Sequence, residues 1–292
     1  MLYESFSFRG PAQLNLVGRA WTTSKATKSF VGIHGYSEYG KSYEHFAQFL
    51  NSHSYNVFFL DLPGHGESSG RRSDISDFRI YIESVSAFLT TLQERFDVKR
   101  YTLFGHSLGG LIAIRFLQEK QNENPTSLTL SSPLLGLSER SFHGLGAFLQ
   151  SDAAMNIFGK ILGVLPNLTL SNQHDLGGSV LTQDSEMQEK RSRDPLIHPI
   201  VTVGWTREFL KARKEAFKNV SEIKIPSGFF LSGKDLVVSQ KASEAFYSVI
   251  GSEKKSLKIY PDSFHEILNE TNRAEVMADV LCWLEGRALN ER

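Results

Sequence analysis

The stretch Tyr101-Thr102-Leu103-Phe104-Gly105-His106-Ser107-Leu108-Gly109-Gly110-Leu111-Ile112-Ala113-Ile114-Arg115-Phe116-Leu117 decides the fold. Its first four residues make a short apolar run and its last seven carry a helical apolar pattern, with Ser107 between them in Gly105-His106-Ser107-Leu108-Gly109. A serine on so sharp a strand-to-helix turn crowds its neighbours, and residues without a Cβ relieve that crowding. The pattern predicts one hydroxyl presented at the carboxyl end of a strand. The pentapeptide alone arises by chance often enough that Ser107 could be an ordinary turn serine, so its meaning depends on what the rest of the chain supplies.

Outward from this point, short apolar runs alternate with helical patterns. Residues 4–8 and 12–19, split by Gly10-Pro11, read as an antiparallel hairpin. Runs at 30–33, 57–60 and 101–104 are followed by helical patterns at 43–50, 78–96 and 108–117. Further runs stand at 128–130, 229–231 and 257–259, the last two flanking a helical pattern at 242–250. Such alternation predicts an α/β fold, a mostly parallel sheet with helices on both faces. Between Pro133 and about Ile225 no convincing strand is visible. There Leu145, Phe148, Leu149, Ile157, Phe158, Ile161 and Leu162 fall at near-helical spacing, as do Trp205, Phe209, Ala212 and Phe217, which predicts a helical insertion. Stripes of this kind read first as core rather than as membrane-binding surface.

The 292 residues are 40% hydrophobic and 22% charged, with 32 Lys and Arg against 32 Asp and Glu. This is a globular composition without electrostatic bias, and it gives no sign of a nucleic-acid or acidic partner. Cys282 is the single cysteine, so no disulfide can form within the chain, and its place in a helical pattern reads as a buried thiol. The N-terminal Met1-Leu2-Tyr3-Glu4-Ser5-Phe6 has neither a basic nor an apolar leader region, and no apolar run reaches the length of a membrane span. A cytoplasmic location is the expectation.

If Ser107 is a nucleophile, it needs a base to take its proton and an acid to orient that base, following in the order Ser, Asp or Glu, His. Asp235 ends Phe229-Phe230-Leu231-Ser232-Gly233-Lys234-Asp235, an apolar run leading into a glycine turn. His265 follows the next run in Ile259-Tyr260-Pro261-Asp262-Ser263-Phe264-His265-Glu266. All three lie where catalytic groups collect in open α/β sheets, at the carboxyl ends of strands. Asp262 and Glu266 are rival acids, but three and one positions from His265 they are poorly placed to meet its ring. An oxyanion would need two preset donors: the N–H of Leu108, after the serine, and the N–H of Tyr36, in the loop after the run at 30–33. His34 could be a metal ligand or a base; without clustered ligand spacing it reads as a buried histidine bracing that loop, and no metal is expected.

The same loop carries a rival motif. Gly35-Tyr36-Ser37-Glu38-Tyr39-Gly40-Lys41-Ser42 satisfies G-x-x-x-x-G-K-[ST], and Asp61-Leu62-Pro63-Gly64-His65 resembles a second phosphate motif. Lys41 would then reach the phosphates, Ser42 the Mg²⁺ and Asp61 a metal-bound water. That reading leaves the elbow, Asp235 and His265 unexplained. The alternative accommodates both segments as an oxyanion loop and a substrate-side loop, with Lys41 and Ser42 merely starting a solvent-facing helix.

Nearly the whole chain resembles the monoacylglycerol lipases and lysophospholipases of the α/β-hydrolase superfamily. The resemblance is carried by His34-Gly35-Tyr36-Ser37-Glu38, by residues 61–70, by Gly105-His106-Ser107-Leu108-Gly109-Gly110, by Ser131-Ser132-Pro133-Leu134, by Ser232-Gly233-Lys234-Asp235 and by Phe264-His265-Glu266-Ile267-Leu268-Asn269-Glu270. It implies an α/β-hydrolase core of residues 1–133 and 226–292 and a cap or lid at 134–225. It also implies Ser107 as nucleophile with Asp235 and His265, and an acyl tunnel under the lid, which Leu145, Phe148, Ile157 and Ile161 would line. The implied substrate is a monoacylglycerol, cleaved through an acyl-enzyme without a cofactor. Lysophospholipids or general carboxylic esters are the alternative substrates, and a non-catalytic small-molecule receptor or a phosphate-binding protein the alternatives of another class. No obligate protein partner is expected, and the lid could touch a membrane surface transiently.

Overall fold

The computed structural model describes residues 1–121, 123, 125–139, 169–171 and 178–287. The chain opens with the hairpin β1 (Leu2–Arg9) and β2 (Asn15–Thr22), continues through β3 (Lys28–Ile33), α1 (Glu44–Ser52), β4 (Tyr55–Asp61) and α2 (Arg79–Phe96), and reaches the elbow at β5 (Thr102–His106) and α3 (Leu108–Glu119). After β6 (Ser127–Ser131) come β7 (Thr169–Ser171), α4 (Gly178–Leu181), α5 (Ser185–Arg193), β8 (Ile200–Thr202) and α6 (Val203–Lys218). The chain then returns through β9 (Ser227–Ser232), α7 (Gln240–Val249), β10 (Lys255–Tyr260) and α8 (Arg273–Leu284).

Eight strands form one sheet in the order β1-β2-β4-β3-β5-β6-β9-β10, antiparallel at the β1, β2 and β4 pairings and parallel from β4 to β10. Central strands are covered on both faces, so their residues are apolar almost without interruption. Successive side chains divide between two cores: Val31, Phe58, Leu60 and Leu103 join α2, α3, α6 and α7 on one face. Phe30, Val57, Phe59 and Phe104 join α1 and α8 on the other. The alternation follows from the two-residue period of a strand.

Three local readings are corrected. Pro11–Gln13 forms a 3-10 turn, which delays the second strand to Asn15. The region after Pro133 is not wholly helical, because β7 and β8 pair as a short antiparallel ribbon; three-residue strands are too brief to show a period. Cys282 is half-buried rather than buried. The helix foreseen from Trp205, Phe209, Ala212 and Phe217 is α6, which packs on α3 with Trp205, Phe209, Ala212 and Ala216 in the larger core. Leu145, Phe148, Ile157 and Ile161 lie outside the described residues.

Candidate active site

Ser107 joins β5 to α3 with φ 51° and ψ −117°, a conformation that costs an L-residue about 1–3 kcal/mol and persists only where surroundings enforce it. They do so through the flanking glycines. A Cβ on Gly109 would overlap the carbonyl oxygens of Ile33 and His34, and one on Gly110 would come within 2.7 Å of the Pro133 side chain. Hydrogen bonds then hold the turn from both sides: Ser107 N–H donates to the Ser131 carbonyl at 3.0 Å, and Leu134 N–H donates to the Ser107 carbonyl at 2.9 Å. The hydroxyl therefore stands at the junction of β3, β5 and β6.

His265 and Asp235 reach it from the ends of β10 and β9. The Ser107 hydroxyl lies 2.9 Å from His265 Nε2, and His265 Nδ1 lies 2.8 Å from Asp235 Oδ2. Asp235 Oδ1 accepts the N–H groups of Val237 and Val238, each at 2.8 Å, which fixes the carboxylate's plane. The loop bearing His265 is tied to β9 by the Ser232 hydroxyl and the Lys234 N–H, which both donate to the Ser263 carbonyl. Buried Glu270 accepts the Phe264 N–H from below. Burial alone would lower the His265 pKa, but the Asp235 charge and hydrogen bond outweigh it, with smaller contributions from Glu266 and Glu38, and the net shift is upward. His106, ring to ring with His265 at 4.8 Å, is held well below its usual pKa, first by burial and then by the charge of His265. Only one of the two imidazoles thus takes up a proton readily.

Leu108 is the first residue of α3, so its N–H has no acceptor within the helix. The Tyr36 N–H donates to no backbone carbonyl among the described residues. The Tyr36 hydroxyl lies 2.6 Å from both the Ser73 and the Ile200 carbonyls and shares its proton between them, while its ring packs on Trp205 at 4.3 Å. His34 braces the loop: Nδ1–H donates to the Gly35 carbonyl and Nε2 accepts the Leu62 N–H. Burial keeps that imidazole neutral, well below its usual pKa.

The rival phosphate cradle is filled by the protein's own carboxylates. Gly35 N–H donates to Glu38, and Gly40 N–H donates to Asp61 at 2.9 Å. Asp61 is fully buried and also holds Arg19 through two hydrogen bonds, at 2.9 and 2.6 Å. Lys41 is exposed, and Lys41 and Ser42 lie in a 3-10 turn before α1. Asp262 is exposed and pairs with Lys234 away from His265.

A charged cluster of Glu38, Glu266 and Arg191 lies beside the imidazole. Glu38, buried, accepts the Tyr43 hydroxyl at 2.7 Å on the oxygen that takes Gly35 N–H; burial, then the Glu266 charge, pushes its pKa up to about 7. Arg191 of α5 approaches Glu266 at 3.2 Å and donates to the Ser37 carbonyl at 2.8 Å. Glu38 and Glu266 stand within segments quoted for the family resemblance. Arg191 carries no such signal, because Glu189-Lys190-Arg191-Ser192-Arg193 reads as a solvated helix face. Among the described residues no group of three or more His, Cys, Asp or Glu could hold a metal ion, and no helix is long and apolar enough to cross a membrane.

Residues 24–272 match the family described as Serine aminopeptidase, S33. The chain belongs to this family. As an α/β-hydrolase it is similar to Phospholipase YtpA of Bacillus subtilis, 30% identical over 258 residues, 88% of this chain and 94% of that protein. It is also similar to the Monoglyceride lipase of Homo sapiens, 27% identical over 277 residues, 92% of this chain and 86% of that one. In three dimensions this hydrolase superposes on a soluble variant of Monoglyceride lipase from Saccharomyces cerevisiae with a TM-score of 0.83 at 22% identity, covering 100% of this chain and 97% of the other.

Proposed function

We propose that the protein is a serine ester hydrolase that cleaves monoacylglycerols to fatty acid and glycerol. The observation that carries this reading is the unbroken hydrogen-bond chain from the Ser107 hydroxyl through His265 to Asp235, and the likeness to lipid-ester hydrolases supports the substrate class. Ser107 Oγ attacks the ester carbonyl as His265 Nε2 takes its proton, and Asp235 keeps the imidazole in the tautomer that can do so. The N–H groups of Tyr36 and Leu108 receive the oxyanion. His265 then protonates the departing glycerol, and water repeats the cycle on the acyl-enzyme.

In this reading residues 1–133 and 226–292 form the catalytic core and 134–225 the cap. Leu145, Phe148, Ile157 and Ile161 meet the acyl chain, where each buried CH₂ contributes about 0.8 kcal/mol. The cap touches lipid surfaces transiently, and the protein works in the cytoplasm. The test is kcat/KM for glycerol esters of graded chain length beside lysophosphatidylcholine and p-nitrophenyl esters. A maximum at medium or long glycerol esters is expected; preference for the smallest esters would overturn the substrate class. Ser107→Ala should abolish both turnover and labelling by a fluorophosphonate probe, and wild-type-like kcat in that variant would end the assignment.

A further inference from the structure

We propose that Arg191 is a positioning residue which the segment between β6 and β9 lends to the catalytic centre: its guanidinium ties the residue after His265 to the loop carrying Tyr36, and offsets the carboxylates that crowd the imidazole. The inference rests on the reading of Ser107 and His265 as nucleophile and base. One nitrogen of Arg191 is 3.2 Å from Glu266 and the other donates to the Ser37 carbonyl at 2.8 Å. The Arg191 and Glu266 side chains are only 10% and 9% exposed, so charge acts there with little screening. The fork spans two loops that the sheet brings to the same end but does not itself connect.

The charges around His265 come from several elements. Asp235 arrives from the turn after β9, Glu266 is the next residue in the chain, and Glu38 comes from the loop after β3. His106, at the end of β5, is buried and neutral. Glu38 Oε2 is buried without a hydrogen-bond partner among the described residues, and the Arg191 charge draws the Glu38 pKa down against its burial. Lys41, Glu44, Lys190 and Asp194 line an adjoining cavity of about 320 Å³ that Glu38, Arg191 and Glu266 also border. Arg191 is thus the cation that balances carboxylates next to a histidine which must lose its proton to act. Without it the imidazolium is over-stabilised, and less of the base is free at neutral pH.

The test is the pH profile of kcat/KM on p-nitrophenyl butyrate, an ester independent of the natural head group, with fluorophosphonate labelling run in parallel. Arg191→Gln should move the acid limb upward by about half a pH unit or more, with a roughly three- to tenfold loss near the limb. Glu266→Gln should move it downward, and Arg191→Gln/Glu266→Gln together should return it close to wild type. Arg191→Lys should keep the limb while lowering the rate, because an ammonium cannot span both acceptors. A limb that stays in place in Arg191→Gln and in Glu266→Gln, with rates reduced equally at every pH, would overturn the proposal. Should Arg191→Gln fail to fold, Glu266→Gln decides alone. Wild-type protein that resists the fluorophosphonate would sink the Ser107 reading instead; labelled protein with an unmoved limb sinks only the role of Arg191.

Discussion

Asp235 offers His265 one carboxylate oxygen while two backbone N–H groups hold the other. The charge it supplies raises the His265 pKa above the ordinary 6.5. In the proposed mechanism His265 acts as the neutral imidazole, so kcat/KM should fall as pH drops through that raised value. Asp235→Asn should move the acid limb downward, yet lower kcat by about 10⁴-fold, because an amide favours the wrong tautomer. A limb that moves upward would contradict Asp235 as the source of the raised pKa. Glu38 makes a separate prediction about stability. Its folded-state pKa, about 7, exceeds the ordinary 4.5, so the folded protein binds the extra proton, and the stabilisation is fully present below pH 4.5 and lost as pH rises to about 7 and beyond. The loss should be roughly 1–3 kcal/mol. Glu38→Gln should flatten this dependence, as read from Tm between pH 5 and pH 8; an unchanged slope would assign it to other groups.

At the scale of the element, the elbow is a contact between β3, β5 and α3 that only glycine permits. Gly109→Ala would drive a methyl into the backbone of Ile33 and His34. Neither carbonyl can move without breaking the strand end, so the variant should lose about 3 kcal/mol or more, seen as a large fall in the urea midpoint. The β2–β4 pairing has its own anchor in Arg19 and Asp61, both buried, with Asp61 also accepting the N–H groups of Gly40 and Glu67. Asp61→Ala removes one of the two carboxylates on the buried Arg19 guanidinium and leaves it Glu67 at 2.8 Å, so it should cost about 2–3 kcal/mol. A cost below about 1 kcal/mol would mean the pair is dispensable. The strands were legible as short apolar runs leading into turns that carry glycine or proline, and the core helices by their apolar period. The β7–β8 ribbon was not, since three residues hold no period and its pairing spans the chain from Thr169 to Thr202.

Across the whole molecule, α6 couples the segment between β6 and β9 to the sheet: Trp205 packs on Tyr36 and Phe209, and Gln118 of α3 donates to the Ala216 carbonyl. Trp205→Ala should cost about 3–5 kcal/mol by denaturant unfolding and should also slow catalysis, because Tyr36 loses a wall that holds its loop. ATP or GTP with Mg²⁺ should leave Tm unchanged, since the amides that would cradle phosphate already hold Glu38 and Asp61; a concentration-dependent rise would revive nucleotide binding. The order of strands and helices, the serine on its elbow and the candidate Asp and His were readable from the sequence alone, because period, turn chemistry and chain order are local properties. The hydrogen bonds that join Ser107, His265 and Asp235, the filling of the glycine-rich loop by Glu38 and Asp61, and the arrival of Arg191 beside Glu266 depended on the tertiary structure. Each of these is settled by the three-dimensional path of the chain, because only packing sets the distance between such groups, and with it the charge each one feels.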